Sequence, residues 1–74
     1  MNVAAYVEAL QHAGQPMKRN GRVWTWDVKG GGWIRAVLTP EGDIGLVAVS
    51  KGKRVREVAA KGVDRKRYLK LALG

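Results

Sequence analysis

The chain has 74 residues, 46% of them apolar, with no cysteine and a formal net charge of +8. That length allows one small domain spanning residues 1–74, and the lack of cysteine excludes disulfides, thiolate metal sites and a cysteine nucleophile. No apolar run reaches the ~18 residues needed to cross a bilayer, and Met1–Leu10 carries Glu8 without a cationic flank, unlike a signal peptide, so a cytoplasmic setting is expected.

The first predicted element is a helix over residues 3–13. Asn2 can cap it, Val3, Tyr6, Val7 and Leu10 fall on one stripe, and Gly14 and Pro16 end it. Asn20-Gly21 is a turn signal, after which Arg22–Val28 alternates as a strand, with Trp24, Trp26 and Val28 on one face. In a chain without Phe, Trp24 and Trp26 are expected to fill the core; the alternative, which stays open for Trp33 at a strand start, is exposure on the sheet to stack unpaired bases. The run Gly30-Gly31-Gly32 connects to a second strand, Trp33–Thr39, and Pro40-Glu41-Gly42-Asp43 turns the chain into a third, Ile44–Ser50. Val55, Val58 and Ala59 are spaced i, i+3, i+4 and Gly62 follows, which predicts a helix over 53–61. The alternative is a two-residue hairpin at Lys51-Gly52 that leads into a fourth strand at 53–59. Asp64 then caps a last short helix with Tyr68, Leu69, Ala72 and Leu73 on its apolar side. The expected fold class is α+β in the order α-β-β-β-α-α, with a three-stranded antiparallel meander at its centre.

Little in this sequence suggests catalysis. His12 is the only histidine and lies away from the apolar stripe of the first helix, so neither a general base nor a metal site is assigned to it. Ser50 is the only serine, and Glu41 and Asp43 belong to a tight turn. Gly30-Gly31-Gly32 joins two strands instead of opening a helix, and no Ser or Thr follows Gly52-Lys53, so neither is a nucleotide-binding loop. No cofactor is implied, and the balance leans against an enzyme.

Charge is the stronger signal. Residues 51–74 hold nine cations against Glu57 and Asp64, a net +7 of the total +8. Such a block attracts polyanions. On the helical reading, Lys51, Lys53, Arg54 and Arg56 gather at one helix N-terminus and Arg65, Lys66 and Arg67 at the next. Cations there oppose the helix dipole, a placement that a bound phosphate would compensate. These residues, with Lys70 and with Lys29 on the glycine loop, are the candidate nucleic-acid-binding set.

Three stretches also resemble the small HicA-type (YcfA-like) toxins, which have a double-stranded-RNA-binding-like fold. They are Gly31-Gly32-Trp33-Ile34, the turn Thr39-Pro40-Glu41-Gly42-Asp43, and the tail from Val55 through Ala59-Ala60-Lys61-Gly62-Val63-Asp64 into Tyr68-Leu69-Lys70-Leu71. The resemblance implies a helix in the tail, a glycine break and a short closing helix. The family's ribonuclease histidine follows the hairpin glycine, where this chain has Gly32 and Trp33, so the resemblance implies the binding scaffold without the cleavage. The expected function is a small basic domain that grips the phosphate backbone of RNA or DNA. The alternatives are a phage- or plasmid-type module that docks on an acidic host protein, and an atypical toxin-like ribonuclease.

Overall fold

A computed structural model describes residues 14–28 and 30–74. The expected helix over 3–13, His12 and Lys29 lie outside the described residues.

Five strands, β1 (Lys18–Asn20), β2 (Val23–Asp27), β3 (Trp33–Leu38), β4 (Ile44–Lys51) and β5 (Arg54–Ala59), form one antiparallel sheet in the order β1-β2-β3-β4-β5. One helix, α1 (Arg65–Leu73), follows. The expected α-β-β-β-α-α class is thereby corrected. The sheet has five strands instead of three, and the segment expected as helix 53–61 is a strand paired along β4, from Lys51↔Arg54 to Leu46↔Ala59. The helical spacing of Val55, Val58 and Ala59 coexists with a period-2 pattern, and β-branched Val55 and Val58 favour the pleated state. The loop decides the matter. Gly52 has φ 62° and is followed by Lys53, and a positive φ at the first of two loop residues is the type II′ hairpin pattern. Gly21-Arg22 closes β1 onto β2 in the same way, with Gly21 at φ 58°.

Register sorts the side chains onto two faces. Val37, Leu46 and Ala48 face α1 and pack with its Tyr68 and Ala72, flanked by Val23, Trp33, Ala59, Val63 and Leu69. The opposite face carries Trp26, Ala36 and Val47, with Trp24, Ile34 and Ile44 beside them. Leu46, Val37 and Val47 are wholly buried, each contributing roughly 1.5–3 kcal/mol of transfer free energy. Trp26 is buried and donates from Nε1 to the Gly14 carbonyl at 3.1 Å. It meets half-buried Trp24 edge-on, with centroids 6.4 Å apart. Trp33 is half-buried on the helix side.

The turn after β3 is held by three bonds. The Thr39 amide donates to the Asp43 carbonyl at 2.7 Å, the Gly42 amide to the Thr39 carbonyl at 2.9 Å, and the Asp43 amide to Thr39 Oγ1 at 3.2 Å. Asp64 caps α1 by accepting from the Arg67 amide at 3.2 Å. The helix sits close to the sheet because Gly45 has no side chain. A methyl group there would overlap Cε2 of Tyr68 and come within 2.8 Å of its Cδ2.

Candidate nucleic-acid interface

The β4–β5 hairpin carries the first basic cluster. Lys51 ends β4, Lys53 is in the loop, and Arg54 and Arg56 are on β5, all four exposed. Lys51 stands directly opposite Arg54, and Arg56 opposite Val49. Residues opposite one another share a face, and residues two apart repeat it. Lys51, Arg54 and Arg56 therefore lie on the Ile34–Val49 side of the sheet, away from α1. Glu57 points the other way, toward α1, where its carboxylate accepts from the Arg65 guanidinium. The four hairpin cations thus have no acid on their own face of β5.

The second cluster is separate. Tyr68 and Ala72 turn inward from α1, and Lys66, Arg67 and Lys70 remain exposed along its outer side. Arg65 is drawn back to β5 by Glu57. The basic block that is continuous in sequence is therefore divided between the two faces of the molecule. The premise that Lys51, Lys53, Arg54 and Arg56 crowd a helix N-terminus is also corrected, because that segment is a strand and has no helix dipole to oppose.

The strand pairing introduces a different cost. Like charges directly across a pair of strands are destabilising by a few tenths of a kcal/mol to about 1 kcal/mol, and Lys51 and Arg54 form such a pair.

Sequence reasoning missed the arginines that serve the fold. Arg19 lies over the Trp24 ring at 5.1 Å, Arg22 over Tyr68 at 5.9 Å, and Arg35 over Trp33 at 4.0 Å. Arg35 also donates to the Ala72 carbonyl at 2.7 Å, tying the last turn of α1 to β3, where a cation suits the negative end of the helix dipole. The Arg19–Trp24 pairing has a local signal, since the Gly21-Arg22 loop places those two residues opposite each other. Arg35 has none, because its partner carbonyl is 37 positions away. Among the described residues, Glu57–Arg65 is the one salt bridge.

Hollows lined by the described residues border these elements. One, of about 230 Å³, lies between the end of α1 and β1–β3, lined by Lys18, Asn20, Thr25, Arg35 and the end of the helix. Another, of about 410 Å³, lies on the opposite face at the end of the sheet, between the glycine loop and the β4–β5 turn. Among the described residues, no group of three or more metal-ligating side chains occurs, and no helix is long and apolar enough to cross a membrane. Compared with known proteins, the chain matches no family model, no curated protein and no solved structure.

Proposed function

We propose that this chain is a small cytoplasmic nucleic-acid-binding domain that holds the phosphate backbone with its β4–β5 hairpin. The supporting observation is the crowding of four exposed cations on one tight hairpin, two of them directly opposite each other, with no acid on the same face of β5. A solvated surface needs no such crowding, and an opposite charge at position 51 would serve the fold better. Phosphates bound between these side chains would relieve the repulsion and release counterions. Arg65, Lys66, Arg67 and Lys70 contribute from the other face, where they add long-range attraction more than grip. Lys29 belongs to the same set by sequence.

The test is affinity for single- and double-stranded DNA and RNA as salt rises from about 50 to 200 mM, which lowers binding steeply when several phosphates are neutralised. Replacing Lys51, Lys53, Arg54 and Arg56 together by Gln is expected to weaken binding and to flatten the salt slope by about 0.7–0.9 per lost contact. The same change at Lys66, Arg67 and Lys70 is expected to matter less. Binding that ignores salt would defeat the proposal. The second reading, an acidic protein partner, draws on β5 being an edge strand with Val55 exposed. An extended acidic segment could add to that edge as a further strand, and failure of every nucleic acid to bind would favour it.

A further inference from the structure

We infer that the hollow beside the basic hairpin seats an unpaired nucleobase, making single-stranded nucleic acid the preferred ligand; this rests on the phosphate-binding role proposed for the hairpin. Val28, Ile34 and Val49 form the apolar wall of the hollow, and the glycine loop, Gly52 and Lys51 form its rim. Val28 is 41% exposed at the mouth. Ile34 pairs with Val49, and Val49 with Arg56, so floor and cation belong to one cross-strand row. Lys51 and Arg54 form the next row outward. Apolar surface is therefore bordered on one side by three cations, the arrangement needed by a ligand with a flat apolar ring and a neighbouring anionic backbone.

Two further features favour a single strand over a duplex. The hairpin does not project. The Lys51–Arg54 pair lies only one residue beyond Trp33↔Ser50, the last pair of β3, and the β2–β3 loop closes beside it through the Val28 amide to the Gly32 carbonyl at 3.2 Å. Reading a major groove requires a ribbon or helix that enters it, whereas this tip is level with its neighbour. A hollow of about 410 Å³ is within the range of sites that enclose a small molecule, and bases freed from stacking are held in pockets walled by apolar or aromatic side chains. The hollow at the end of α1 offers less to a nucleotide, because the helix carbonyls there repel phosphate and Arg35 is engaged by Ala72 and Trp33.

The experiment compares a thymidine strand of about 20 nucleotides with an abasic strand of equal length, each titrated by fluorescence anisotropy at several salt concentrations. Both carry the same phosphates, and only one carries bases. The thymidine strand is expected to bind about tenfold more tightly, the lower part of the range for a base stacked on an aromatic ring, since the walls here are aliphatic, with the same salt slope. Val28→Ala trims an exposed side chain without touching the core; it is expected to lower thymidine-strand affinity about threefold and leave abasic binding unchanged. Equal affinity for the two strands would overturn the base seat while leaving the phosphate grip standing. A preference for bases that Val28→Ala does not alter would overturn this location. Failure of both strands to bind would remove the phosphate role and this inference with it.

Discussion

Gly45 shows how one missing methyl group sets the position of a helix. It is buried in β4, and the Tyr68 ring lies against it from α1. Tyr68 cannot retreat freely, because Arg22 lies over its ring and Ala72 is buried one turn along the same helix. Gly45→Ala is therefore expected to destabilise the fold by about 1–3 kcal/mol, the usual cost of an inserted methylene in a packed site. Urea unfolding should show a lower midpoint with an unchanged slope. Pairing it with Tyr68→Leu should recover part of the loss, which a double-mutant cycle would detect as coupling between the two sites. The role of Tyr68 as an inward residue was legible from its place after Asp64, but its seat was not. A strand glycine twenty-three positions away gives no local sign of what will rest on it.

The β4–β5 hairpin is where local pattern and final structure part. Its sequence fits two periods at once. Val55, Val58 and Ala59 suit a helical stripe, while Val55, Glu57 and Ala59 alternate with Arg54, Arg56 and Val58 across a strand. Pairing with β4 settles the matter, because β4 offers a buried strand with an open edge and Gly52 supplies the turn. The strand β1 was invisible for a different reason. Lys18-Arg19-Asn20 contains no apolar residue, so hydrophobic alternation cannot reveal it, and it forms through backbone bonds to β2 and the Arg19–Trp24 contact. The three central strands and the turn at Pro40–Asp43 were legible because alternation and turn chemistry agree there. The basic residues were legible as a block, and their partition between two faces followed only from register. That partition yields a prediction. Lys51→Glu would place opposite charges across the Lys51↔Arg54 pair and is expected to stabilise the fold by about 0.5 kcal/mol. In a domain of this size that is a rise in melting temperature of about 2–4 °C, and it should shrink in high salt. Nucleic-acid affinity should fall in the same variant. A rise in both stability and affinity would contradict the proposed role of the hairpin.

Taken whole, the described sheet has its protection at the centre. The wholly buried Val37, Leu46 and Val47 lie on β3 and β4, while β1 is exposed throughout and β5 begins exposed. Native-state hydrogen exchange should therefore find the slowest amides in β3 and β4 and the fastest in β1, with the hairpin tip opening well below the global free energy. A ligand at the hairpin should slow exchange around Lys51–Arg54 and in the glycine loop more than in β1. The strand order carries a consequence for how the chain reaches this state. Each strand pairs with the one just before or after it, so every pairing can be closed by a turn of a few residues and no strand has to wait for a distant partner. Local closure of this kind lowers the entropy spent before contacts form. Refolding is accordingly expected in about milliseconds or less, as one phase, for a sheet that an all-β composition would otherwise place among slow folders. A chain that finds its pairings in sequence order spends little time with the apolar β3 and β4 unpaired, the stage at which two copies could stick to each other.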